Sequence, residues 1–250
     1  ADGHDEAILA NDRVWLGFSP SDGGTLFEWD YRDKSFNLGN TLSRREEAYH
    51  DLLRRGAVQV GDGGSGGHSS LHELARAKEA GLDQYLVYDP YRRVSLRDHF
   101  LREHISAEDL WSDDFDELGD FATGVYASEA GPGRVVLSRT GRVRADGREA
   151  AVRIRKTMTL APGATDLEIR YDIKSEADFP LETVFGVEFA VNFLSGQAFD
   201  RYYRSDDVDL ERPKLGEMGC DGPIRHIALR DDWMRLEAGF RFDEPAQVYR

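Results

Sequence analysis

Cysteine is nearly absent. Cys220 is the single one in 250 residues, so no internal disulfide can form and the fold rests on packing. Long apolar runs are missing too. No window approaches the ~18 apolar residues of a membrane span, and Ala1 to Asp5 is polar rather than a charged-then-apolar leader. Lysine is scarce. Lys34, Lys78, Lys156, Lys174 and Lys214 are the five, so 27 of the 32 basic residues are arginine. Genome composition accounts for that bias as readily as an arginine ion-pair network. Basic charge is short overall: 47 acidic residues leave a net charge of −15, and no run of five basic residues occurs. Such a chain repels a nucleic-acid backbone and an anionic membrane, and accommodates a neutral ligand or a protein partner. These absences give the expectations of no nucleic acid, no membrane and a cytoplasmic location.

What is present suffices for a core. Apolar residues make up 40% of the chain and aromatics 11%, too much for a disordered chain. Val14, Leu16 and Phe18 alternate, a Ser19–Gly24 turn follows, and Thr25–Asp30 resumes the pattern, which predicts a hairpin. Residues 44–55 are predicted helical, with Ser43 and Glu46 as a capping box. Residues 61–70 (GDGGSGGHSS) are a glycine-rich connection, followed by a short helix over 71–79. Residues 85–102 end in a helical turn, and 103–118 are acidic loop. From Phe121 onward strands dominate: 121–127, 134–144, 152–160, 167–173, a longest strand over 183–194, and a final hairpin around Asp231-Asp232. Pro162-Gly163 marks another hairpin turn. The pattern predicts a mainly β fold, a large antiparallel sandwich with a few short helices in its first half, read as one domain over 1–250.

Chemical motifs are sparse. The glycine-rich stretch lacks the Lys-Ser/Thr of a phosphate loop, and no GxSxG elbow occurs. His68 and His72 have i,i+4 spacing, yet the glycines just before them leave the helix start undefined, and no metal or other cofactor is expected. Glu188 is the notable carboxylate, because glutamate is unusual inside a long strand. Asn192 shares its face, and the pair would line a groove. A solvated face, or an ion pair to a neighbouring arginine, explains Glu188 equally. Sugar rings present apolar C–H faces that stack on indole or phenol rings. Trp29, with Tyr31 two residues on, Tyr91 beside Asp89-Pro90, and Trp111 are candidate platforms; most large aromatics are core. Trp15 and Trp233 are the other tryptophans, and Tyr202-Tyr203 lie between Arg201 and Arg204. A second constellation, His99, Glu188 and His226, is the candidate acid/base set.

Three segments carry a family resemblance: SPSDGGTLFEWDYRDKSFNLGNTLSRREEAYHDLL (19–53), YDPYRRVSLRDHFL (88–101) and GVEFAVNFLSG (186–196). They resemble the C-terminal domain of family 57 glycoside hydrolases, in the 4-α-glucanotransferase and α-amylase group. The resemblance spans about 10–250. It implies a galactose-mutarotase-like β-sandwich placed after a catalytic (β/α)7 barrel. Nothing here matches that barrel, so no catalytic residue is carried over. The family also implies a further closing strand where this chain reaches Gln247–Arg250, so the chain is expected to be a fragment lacking barrel and last strand. An edge left open in this way favours pairing with another chain, which keeps homo-oligomerisation open.

The expected function is a non-catalytic accessory domain of an α-1,4-glucan-active enzyme, partnered by the upstream barrel and binding α-glucan. A mutarotase-like sugar enzyme and a purely structural assembly module are the alternatives; the enzyme alternative rests on fold analogy.

Overall fold

A computed structural model of the chain describes residues 3–51 and 86–250. The glycine-rich stretch, the 71–79 helix and the His68/His72 pair lie outside the described residues. The chain divides into two compact units, Ala1–Thr41 with Val94–Arg250, and Leu42–Arg93.

The larger unit is built from antiparallel sheets. β1 (Ala7–Ala10), β2 (Val14–Ser19), β3 (Thr25–Tyr31) and β4 (Phe36–Asn37) form one, in chain order. β5 (Arg97–Leu101) pairs with β10 (Val184–Glu188). β6 (Ala127–Gly131), β7 (Arg134–Ala145), β8 (Arg148–Leu160) and β9 (Leu167–Ser175) form a second four-stranded sheet. β11 (Arg201–Arg204), β12 (Cys220–Asp231) and β13 (Leu236–Tyr249) form the last. A short α-helix, α1 (Ala107–Ser112), sits in the first half. The chain is thus a mainly β sandwich with few helices.

Local chemistry explains the ladders. β7 and β8 are joined by Asp146-Gly147, both at positive φ (50° and 74°), the conformation of the tight hairpin turn that matches strand twist. Along β8, Val152, Ile154, Met158 and Leu160 are buried while Arg153 and Thr159 are exposed, the expected period of two. These residues join Leu9, Leu16, Phe18, Phe121, Val135 and Leu137 in the main core. Each such side chain contributes roughly 1.5–3 kcal/mol by leaving water. Lys156 lies on the same buried face and is 0% exposed.

Several expectations are corrected. Only Val184–Glu188 of the 183–194 segment is strand, and β13 is the longest strand among the described residues. Beyond Glu188 the backbone finds other partners: the Ser95 hydroxyl donates to Ala190 O (2.9 Å), and Asn192 N–H donates to Leu38 O (2.7 Å). The helical turn expected near residue 100 is strand β5, all of whose residues are buried. The 121–127 strand starts only at Ala127, because Gly124 N–H bonds back to Phe121 O and Tyr126 N–H to Pro20 O. β1 and β11 were unforeseen, each too short to show a period. Within the acidic loop, Ser106 caps α1 and accepts from Asp109 N–H, forming a capping box.

In the smaller unit the expected 44–55 helix is not seen over 44–47; residues 48–49 are turn and His50–Asp51 helical, with 52–55 outside the described residues. Ser43 does not cap a helix there. Its hydroxyl accepts from Arg93 N–H (2.7 Å), and Arg44 is bound through backbone and guanidinium to the Asp89 carboxylate. Tyr88 and His50 are hydrogen-bonded at 3.0 Å.

Candidate functional site

β5 carries Arg97, Asp98 and His99 in succession, three charged or titratable residues on a fully buried strand. Buried charge is costly unless paired, so their partners define what the strand is for. Neighbouring strand residues point to opposite faces. Asp98 and His99 accordingly enter two different networks.

On Asp98's face, Lys156 Nζ lies 2.9 Å from the carboxylate, with both side chains at 0% exposure. Tyr126 and Tyr171 hydroxyls donate to the same carboxylate at 2.6 and 3.0 Å. Lys156 also donates to the carbonyls of Leu96, Gly23 and Gly24. Burial lowers the lysine pKa against the pull of Asp98, and burial raises both tyrosines above the ordinary phenol range. The lysine thus ties β8, β5 and the 23–24 turn together. Arg97 is likewise enclosed, reaching both oxygens of Asp22 at 3.1 and 3.2 Å.

On the other face, His99 stands between two glutamates. Its Nδ1 is 2.6 Å from Glu117 Oε2 and its Nε2 is 3.3 Å from Glu188 Oε2. The register explains Glu188: Gly186 of β10 is paired with His99, and Glu188 with Arg97. Glu117 is fixed by its second oxygen, which accepts from the N–H groups of Phe100 and Gly119. Phe115 meets the imidazole edge-on at 5.9 Å. Burial pushes the imidazole pKa down, but the hydrogen bonds to both glutamates outweigh it and raise the value from 6.5 to about 9. At neutral pH the ring is therefore an imidazolium donating from both nitrogens. Its side chain is 6% exposed. A group in this state is an ion-pair centre; acting as a base would require breaking one glutamate contact and shedding a tightly held proton.

The remaining candidates are dispersed. His226 lies on β12, where its Nδ1 accepts from Asp206 N–H (2.9 Å) and its own N–H donates to Asp207 (2.7 Å); these are its partners rather than Glu188. Asn192 bonds to Leu38 and Asn37, because the ladder that would have aligned it with Glu188 has ended. Trp29 is half-buried and edge-on to Phe240 at 6.4 Å, a packing contact rather than an open platform. Trp111 lies on α1 and is 47% exposed. Tyr91 belongs to the smaller unit and is half-buried. Glu117 was missed, since a single acid within an acidic loop carries no sequence signal. Among the described residues, no group of three or more His, Cys, Asp or Glu side chains is arranged to hold a metal, and no helix is long and apolar enough to cross a membrane.

Fold and site together define a β-sandwich module in which the His99 imidazole is held at both nitrogens. The family described as "Alpha-amylase/4-alpha-glucanotransferase, C-terminal" matches residues 1–250, and the chain belongs to it. Alpha-amylase 1 of Dictyoglomus thermophilum is 34% identical over 206 residues, covering 82% of this chain and 29% of the relative. The 4-alpha-glucanotransferase of Thermococcus kodakarensis is 32% identical, covering 75% and 27%. The crystal structure of 4-alpha-glucanotransferase from Thermococcus litoralis superposes with a TM-score of 0.70 over 99% of this chain and 33% of that one, at 24% identity, which establishes the shared fold. The chain thus spans less than a third of the length of these curated relatives.

Proposed function

We propose that this chain is a non-catalytic C-terminal module of an α-1,4-glucan-active enzyme, that it packs on and supports a (β/α)7 catalytic barrel, and that it binds α-glucan. The carrying observation is the closure of the His99 site. Both ring nitrogens are occupied by carboxylates at 2.6 and 3.3 Å, which leaves the imidazole without a free nitrogen for substrate. Relatives named as α-amylases and 4-α-glucanotransferases supply the glucan context. The exclusion of anionic partners by a −15 chain is compatible with a neutral polysaccharide.

Assays of the purified chain test this reading. Starch hydrolysis, maltooligosaccharide disproportionation and glucose mutarotation should all run at buffer rates, while electrophoretic migration through glycogen should be retarded. A sugar-converting rate abolished by Glu188→Gln or His99→Gln would transfer the function to the mutarotase-like alternative.

A further inference from the structure

Two aromatic rings project from one end of the β11–β12–β13 sheet. Phe199 is 87% exposed and Trp233 72%. The β11–β12 register ends with Arg201 opposite Asp231, and Asp232 N–H donates to Asp200 O at 3.0 Å. Phe199 and Trp233 are the neighbours in sequence of this Asp200–Asp232 contact, each on a turn beyond the ladder.

The indole is mounted rather than loose. The Arg201 guanidinium lies 5.8 Å from its ring centre, within cation–π range. Arg201 is itself nearly buried and is held by Asp231 at 3.0 Å and Asp200 at 2.7 Å. Asp231 also accepts from Met234 N–H (2.8 Å), closing the turn that bears the tryptophan. The rim is polar. Asp232 is paired with Arg230 (2.9 Å) and Arg212 (3.3 Å), and the Arg212 guanidinium stacks on Tyr202 at 3.9 Å. Arg212 also borders a shallow depression of about 360 Å³ that runs along the 203–212 segment.

Two features select the occupant. The carboxylates around the rings, Asp200 and Asp232, are each already paired with arginine, so the patch complements an uncharged polar ligand. At ~150–250 Å² per ring, the two aromatics also fall short of the roughly 800 Å² per partner of a standard protein interface. We propose that Trp233, with Phe199 exposed on the adjoining turn, is a stacking platform for a neutral α-glucan chain, with Asp200, Asp232 and Arg212 taking sugar hydroxyls. This assignment rests on the glucan-binding reading above and gives it a place in the fold.

The test is titration of the 250-residue chain with maltoheptaose, alongside affinity electrophoresis in glycogen, for wild type, Trp233→Ala and Phe199→Ala. The rings are on the surface, so all three proteins should melt at the same temperature. Trp233→Ala should weaken binding about tenfold, and Phe199→Ala by less. A Trp233→Ala variant that binds as wild type overturns the platform while leaving glucan binding intact. A wild-type chain that binds neither ligand overturns both. A concentration-dependent dimer seen by sedimentation in wild type and lost in Trp233→Ala assigns the rings to a second copy and likewise overturns the proposal.

Discussion

Replacing His99 with glutamine removes the positive charge from between Glu117 and Glu188 while keeping a hydrogen-bonding side chain. The imidazole is raised from 6.5 to about 9 in the folded chain. At about 1.36 kcal/mol per pKa unit, protonated His99 contributes on the order of 3 kcal/mol. Solvent screens this only modestly, since the His99, Glu117 and Glu188 side chains are 6, 25 and 19% exposed. Because the folded value is the higher one, the contribution is fully present below about pH 6.5 and is lost as pH rises through about 9. Lys156 works in the opposite direction. Burial lowers its pKa, so raising the pH relieves the cost of keeping it charged. The buried tyrosines weaken the fold only once unfolded tyrosine ionises, near pH 10. The informative quantity is therefore the stability gap between wild type and His99→Gln, measured by urea unfolding from pH 6 to 9.5. The gap should be about 3 kcal/mol at pH 6, seen as roughly 6–12 °C in melting temperature. It should close by more than half at pH 9.5. A gap that stays constant across this range would refute the charged, doubly held imidazole.

Two further changes probe the framework. Asp98→Asn leaves Lys156 buried without its counter-charge, and should destabilise by about 3–5 kcal/mol in denaturant titrations; a loss below about 1 kcal/mol would mean that the lysine is neutral in the fold. Gly23→Ala drives a methyl group into Ala122 O, inside van der Waals contact, at a φ of +69°. The strained conformation alone costs about 1–3 kcal/mol, so the variant should melt several degrees lower, and an unchanged melting temperature would refute the close approach.

The strands legible in advance were β2, β3, β7, β8, β9 and the β12–β13 hairpin, and in β8 the alternation of residue types matches burial residue by residue. Alternation reports burial directly, since a one-residue slip would turn every apolar group outward. Lys156 shares the alternating set of Val152, Ile154, Met158 and Leu160, although nothing in that pattern names Asp98 as its partner. β5 defeated the same logic. Arg97, Asp98 and His99 read as part of a helical turn, yet they form a buried strand because a different distant residue neutralises each of them. The 183–194 segment was over-read for the converse reason: its alternation continues after its neighbour strand has ended, and a serine hydroxyl takes over.

The sequence alone determined the class: a disulfide-free, acidic, mainly β chain resembling the C-terminal domain of α-glucan-active enzymes. Composition and short-range periodicity carry the first three properties because they depend only on neighbouring residues, while the resemblance is carried by the segments 19–53, 88–101 and 186–196. Tertiary structure decided which polar groups meet. Glu117 and Glu188 are 71 residues apart in number, yet both reach His99; Phe199 and Trp233 are brought to one sheet end by a single ladder. Such pairings are set by strand register across the sandwich, and register is a property of the packed sheets that no local window of sequence contains.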